Sequence, residues 1–241
     1  MATCMAPHAS PRHRERQPLR SPSFKPATPL WYRVGVGPGR GHRAVRWLAS
    51  LTAGLVAAVL PAAPAWTQDG GAWLDAGTPA GWNVAGAAVP APPRIDGQSL
   101  AEGRCGGQAR RPAGAEDRAV MAAGWVLVGP LQVYDDVSVI GGAVAADGMC
   151  RWLGYQVFVF AGGRLAGTAS PAPRDARTDG MPSQVRLYGP DLVVAEFLRY
   201  RPTDPLCCAS RASTVSYRIE RGPGGPVLVP GPVSTQDLPR P

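Results

Sequence analysis

From residue 125 onward, apolar residues come in short runs divided by Gly, Pro and Asp. That is the rhythm of strands and turns. Trp125–Val128 ends at Gly129-Pro130, which predicts a turn, and Leu131–Ile140 is rich in β-branched residues and broken by Asp135-Asp136. Tyr155–Phe160 is nearly all apolar and reads as a central strand. Gly162-Gly163 then predicts a tight hairpin returning through Arg164–Ser170. A second hairpin pairs Gln184–Tyr188 with Leu192–Tyr200 across Gly189-Pro190-Asp191, and a third joins Thr214–Glu220 to Pro226–Val229. Val215, Tyr217 and Ile219 alternate with Ser216, Arg218 and Glu220, which predicts one buried and one solvated face. Before the strands, Ala115–Ala123 reads as a helix, with Glu116 and Asp117 at its start and Gly124 as its stop. The pattern predicts a mainly β (α+β) fold: an antiparallel sheet built from hairpins with one short N-terminal helix.

This pattern places a β domain over residues 113–230 and a flexible tail over 231–241. Residues 66–112 are rich in Gly, Ala and Pro and read as a linker, with Trp73, Asp75 and Trp82 as the residues able to pin part of it to the core. Residues 1–65 read as an N-terminal extension and signal peptide. Trp47–Leu60 is an apolar, uncharged run preceded by Arg40, Arg43 and Arg46 and followed by Ala63-Pro64-Ala65, a small-x-small cleavage pattern. The run is shorter than the ~20 residues a membrane-spanning helix needs. The Arg- and Pro-rich stretch before it exceeds an ordinary signal n-region, which suggests a start at Val34 or Val36.

Charge changes meaning with that division. The chain carries a formal net charge of +8. Nine cations against Glu15 put all of it in residues 1–65, leaving sixteen basic and sixteen acidic residues after the cleavage point. The exported part therefore has no electrostatic reason to bind nucleic acid. Lys25 is the only lysine, and the abundance of Arg, Gly and Pro is what a GC-rich coding sequence produces.

His8, His13 and His42 all precede the cleavage point. Ser-His-Asp and Cys-His catalysis and mixed zinc sites are then excluded, and no cofactor or metal is expected. Paired carboxylates remain as catalytic or calcium candidates: Asp135-Asp136, Asp147, Asp175, Asp179, Asp191, Glu196 and Asp204. Most stand beside Gly or Pro, where turn chemistry explains them. Cys4 falls in the removed segment, leaving Cys105, Cys150, Cys207 and Cys208 as disulfide candidates. Ordinary bridge geometry favours joining the vicinal pair outward, one to Cys150 and one to Cys105. A Cys150–Cys207 bridge would contribute about 3–4 kcal/mol. The other pairing bonds Cys207 to Cys208 directly. Arg199, Arg201 and Asp204 surround the vicinal pair and are the binding-loop candidates.

Val157–Pro171 (VFVFAGGRLAGTASP) and Arg199–Ser210 (RYRPTDPLCCAS) resemble the LppP/LprE family of bacterial envelope lipoproteins. The resemblance covers about residues 115–230, and Asp-Pro-Leu-Cys-Cys is its specific part. It implies export to the envelope more than any activity. The chain departs from the family in lacking a lipobox Cys, which favours a soluble periplasmic or secreted form with no transmembrane span after cleavage. The expectation is a non-enzymatic binding or structural module for an envelope protein, glycan or lipid. The alternatives are a carboxylate-based hydrolase and a thiol redox module using Cys207-Cys208.

Overall fold

The hairpin rhythm becomes two four-stranded antiparallel sheets and a short two-stranded ribbon. The structure, a computed structural model, describes residues 70–239; the signal segment and Cys4 lie outside them. One helix, α1 (Ala115–Ala122), precedes ten strands: β1 (Val126–Tyr134), β2 (Val137–Ala143), β3 (Ala145–Ala146), β4 (Trp152–Leu153), β5 (Gln156–Ala161), β6 (Arg164–Thr168), β7 (Met181–Leu187), β8 (Leu192–Arg199), β9 (Arg211–Gly222) and β10 (Gly225–Asp237). The first sheet has the order β1-β2-β5-β6 and the second β10-β9-β8-β7, with β3-β4 as the ribbon. The mainly β, antiparallel expectation with one short helix is borne out.

The sheets pack face to face. Val137, Val139, Val157 and Val159 of the first sheet meet Val193, Ala195, Phe197, Val215, Tyr217 and Ile219 of the second in one core. A second cluster lies on the other side of the first sheet, where Val120 of α1 packs with Trp125, Ile140, Phe158 and Phe160. The first sheet is thus covered on both faces, so β2 and β5 are buried along their whole length. This is why β5 reads as a continuous apolar run. The second sheet has one wet face, and β9 keeps its alternation: Val215, Tyr217 and Ile219 are buried while Ser216, Arg218 and Glu220 are exposed.

Three expectations need correction. Gly129-Pro130 is not a turn but an irregularity inside β1, where the register with β2 shifts between Val128 and Gln132. Gly129 supplies the positive φ of 67° that the bulge requires. Residues 231–237 are not a tail, because β10 pairs with β9 as far as Asp237. The described part of the expected linker, residues 70–112, is built into the core. Leu74 and Leu100 are buried, and Trp73 and Trp82 pack on the inter-sheet core in a chain of edge-to-face rings running from Phe197 through Trp73 and Trp82 to Tyr217. Few of its side chains are large and apolar, so periodicity misses them, yet Trp73, Leu74, Trp82 and Leu100 each pack into a core cluster.

Two side-chain amides close the open sides of the sandwich. Gln132 on edge strand β1 donates to the Val185 carbonyl of edge strand β7 (2.7 Å) and accepts from the Leu187 N–H (2.9 Å). On the opposite side, Asn83 donates to the carbonyls of Thr168 in β6 (3.2 Å) and Leu228 in β10 (2.8 Å), and accepts from the Thr168 N–H (2.8 Å). Each amide stands where a neighbouring strand would, satisfying backbone groups that an edge leaves unpaired. Gly167 makes room, since a β-carbon there would fall 2.1 Å from the Asn83 side chain.

Burial pushes the Tyr155 phenol up to about 12 and raises that of Tyr217 well above its ordinary value of 10. A folded-state pKa above the unfolded one means that the unfolded chain loses its proton first. Stability from these groups is therefore complete below pH 10 and falls as pH climbs from 10 toward 12. Urea unfolding should show a flat midpoint from pH 8 to 10 and a decline beyond it. A phenolate absorbance titration in which every tyrosine ionises near pH 10 would contradict this.

Candidate functional site

Arg199, Arg201 and Asp204 do not converge on one surface. Arg199 continues the inward row Val193, Ala195, Phe197 on β8 and is 2% exposed. Its Nη2 donates to both oxygens of Asp75 (2.9 Å each), its Nε to Asp179 (3.0 Å) and its Nη1 to the Ser213 hydroxyl (3.2 Å). Burial works against its charge, but Asp179 and Asp75 outweigh that cost and hold its pKa above the ordinary arginine value. Arg199 is a buried lock between β8 and the segment carrying Asp75, not a ligand-binding cation.

Arg201 is exposed and pairs with Asp237 at 3.0 Å, a surface contact worth about 0–1 kcal/mol. Asp204 folds the loop onto itself by accepting from the N–H of Arg201 (2.7 Å) and from the N–H (3.1 Å) and hydroxyl (2.7 Å) of Ser210. The Arg201 N–H and the Ser210 hydroxyl keep its carboxyl below the usual range. A cavity of about 330 Å³ lies beside Arg201, Asp204, Cys208 and Leu238, where Asp204 is already engaged by Arg201 and Ser210.

The favoured cysteine pairing is overturned. Cys105 is joined to Cys150, with Cα atoms 5.3 Å apart, and Cys207 is joined to its neighbour Cys208. Leu100, Val128, Ala143 and Ala146 surround the first bridge. Gln108 closes over it, donating to the Cys150 carbonyl and accepting from the Trp152 indole N–H. Cys105 is carried by the segment taken for a linker, and the folding of that segment onto β3-β4 brings it to Cys150. The vicinal pair stands on the exposed loop after β8, away from that cluster.

Four of the eight carboxylate candidates, Asp204 among them, hold backbone in place. Asp147 accepts from the N–H groups of Met149 and Arg151, Asp175 from that of Gly154, and Asp179 from that of Tyr200. Asp135 and Asp136 differ. They form the two-residue turn between β1 and β2, where Asp135 takes a φ of 50° that Asp tolerates better than most residues. This turn borders a cleft of about 440 Å³ on the outer face of the first sheet. Leu131, Val133 and Ile140 give the cleft apolar walls, Glu116 of α1 and the Gly162-Gly163 turn close its sides, and Ser138 lies at its floor.

Local structure explains each wall. Val137 and Val139 point into the inter-sheet core, so Ser138 and Ile140 project from the opposite face, toward the cleft. Asp117 anchors α1: both its oxygens accept from Arg110 at 2.6 Å, and it also accepts from the Ala113 N–H at 2.8 Å. Burial raises its pKa, but Arg110 and the N–H groups of Ala113 and Gly114 more than cancel that, and the carboxyl lies below its ordinary value. Asp136 pairs with Arg221 at 2.9 Å. Glu116 and Asp135 make no ion pair among the described residues. Sequence reasoning found Asp135-Asp136 but missed Glu116, Ser138 and the cleft itself, because α1 and two turns from distant positions meet only after folding. Among the described residues, no three His, Cys, Asp or Glu side chains gather as metal ligands.

The molecule is thus a small disulfide-bearing β-sandwich with a cleft on its outer face. A family model described as LppP/LprE lipoprotein matches residues 134–222, from the end of β1 to the end of β9. The family resemblance read from the sequence holds over this span, which includes Asp135, Asp136, Ser138 and the vicinal cysteines but neither Glu116 nor Cys105. The family is one of envelope-associated lipoproteins whose biochemical function is poorly defined. No curated protein and no solved structure matches the chain. No helix among the described residues is long and apolar enough to cross a membrane.

Proposed function

We propose that this protein is an exported, non-enzymatic binding module of the cell envelope, soluble in the periplasm or secreted. The observation that carries the reading is the acid-rimmed, apolar-walled cleft, of a size that accepts a small organic molecule or one residue of a larger partner. A general acid needs a carboxyl sheltered from water. Asp135 and Asp136 are exposed at the rim, and Asp136 is already paired, so the arrangement favours binding over hydrolysis. The apolar run at Trp47–Leu60 and the two bridges support an extracytoplasmic setting.

The test fractionates cells expressing the full chain and takes the intact mass without reductant. The reading expects the protein in the exported fraction, shortened near residue 65, with all four remaining cysteines oxidised. It also expects no turnover of chromogenic glycosides or esters. Cytoplasmic protein with unbridged thiols would overturn the location, and turnover that disappears in Glu116→Gln or Asp135→Asn would establish the hydrolase instead.

A further inference from the structure

We infer that the cleft takes an alkyl ammonium group: a primary amine on an aliphatic chain, borne by a small molecule or by the end of a larger one. The inference rests on the reading of this cleft as a binding site and assigns its ligand chemistry. Three observations point the same way.

The first is charge. Two of the four lining carboxylates are neutralised, Asp117 by Arg110 and Asp136 by Arg221. Glu116 and Asp135 are left with no ion pair among the described residues, and the lining contains no Lys or Arg. An anionic ligand would be repelled, whereas a cation would be drawn to the rim.

The second is the floor. Ser138 is 8% exposed, lines the cleft, and its hydroxyl has no hydrogen-bond partner among the described residues. Buried hydroxyls are normally paired, and an orphan of this kind calls for an explanation such as a ligand. The hydroxyl oxygen accepts from an ammonium N–H, and a carboxylate of the rim accepts from another. An ammonium carries three donors and no acceptor, which suits a site whose side chains offer carboxylate and hydroxyl oxygens.

The third is the wall. Leu131, Val133 and Ile140 present aliphatic surface beside the acids, and no aromatic ring lines the cleft. A primary ammonium on a methylene chain fits this better than a quaternary ammonium, whose recognition uses aromatic faces. It also fits better than a sugar ring, whose apolar face would find no aromatic surface to stack on. The Gly162-Gly163 turn borders the cleft on the side of Glu116. Gly163 has a φ of 71°, and a β-carbon there would stand 3.9 Å from a Glu116 oxygen.

The experiment titrates the isotopically labelled exported chain, bridges intact, with n-pentylamine at pH 7, followed by amide NMR. n-Pentanol and pentanoate serve as neutral and anionic controls of the same length. The amine should shift amides at 114–117, 133–138 and 162–163 saturably, with pentanol at least tenfold weaker and pentanoate inactive. Glu116→Gln and Asp135→Asn should each weaken the amine about tenfold, close to 1.4 kcal/mol. Ser138→Ala should weaken it about threefold while leaving the melting temperature unchanged, since no protein hydrogen bond is lost.

Equal binding of amine and alcohol would overturn the ammonium assignment and leave the binding site standing. If none of the three probes perturbs the cleft amides, the binding-site reading itself falls. Unchanged amine affinity in both acid variants would remove the charge argument and with it the inference.

Discussion

Replacing Asn83 with Ala should lower the melting temperature by about 6–12 °C. Three hydrogen bonds disappear together, and they tie β6 to β10 at one open side of the sandwich. Thr168 is 7% exposed and Leu228 is fully buried, so water replaces the lost partners poorly. The Thr168 N–H, with no other partner in place, carries the larger share of the cost. At roughly 1 kcal/mol for each net bond, and more for a buried group left unpaired, the sum is about 3 kcal/mol. For a domain of this size each kcal/mol moves the midpoint by about 2–4 °C. Asn83→Asp separates hydrogen bonding from packing. It keeps the shape but turns a donor into a charged acceptor facing two carbonyls, and should be at least as damaging as Ala. A thermal melt of Asn83→Ala within about 2 °C of the parent would show that the amide does not close the sandwich.

The second large effect is expected at Arg199. Arg199→Ala should cost about 3 kcal/mol, the low end for breaking a buried ion pair, because both carboxylate partners can regain water once the cation is gone. Asp179 and Asp75 have side-chain exposures of 28% and 62%. The order of effects should therefore be Arg199→Ala, then Asp179→Ala, then Asp75→Ala, the last below about 1 kcal/mol. Asp179 matters more than its ion pair alone because it also holds the Tyr200 N–H at 2.8 Å. Arg199→Ala should also speed proteolysis around residues 70–76, which the guanidinium ties to β8 through Asp75. Urea denaturation of the three variants checks the ranking, and an Asp75→Ala cost equal to that of Asp179→Ala would refute it.

These two residues show where reading the sequence succeeds and where it stops. Arg199 follows Val193, Ala195 and Phe197 at intervals of two, so the alternation that marks β8 also places Arg199 on the inward face. Its burial was legible, and its neighbours Arg201 and Cys207-Cys208 drew attention to the loop instead. Asn83 gave no such signal. It sits in a Gly- and Ala-rich stretch, and its partners lie 85 and 145 residues away. Glu116 read as a helix-start residue and Ser138 as an ordinary strand position. Nothing local says that one helix start, one aspartate turn and one glycine turn will border the same cleft.

The cysteines divide in the same way. Their expected oxidation is a matter of composition and of the export pattern, but their pairing is a matter of distance. General bridge geometry argued against a bond between adjacent residues, and the argument failed because the expected linker brings Cys105 to Cys150 and leaves Cys207 with Cys208.

By itself the sequence determined the hairpins, the helix, the central position of β5, the alternation of β9, the neutral charge after residue 65 and the resemblance to envelope lipoproteins. All of these are written in neighbouring residues, because strand and turn preferences and side-chain period act over a few positions. The tertiary structure alone decided the use of residues 70–112, the disulfide pairing, the amide closures and the cleft. Each depends on contacts between segments far apart in the chain, whose free energy is set by how the sheets twist and pack and leaves no periodic trace in the order of residues.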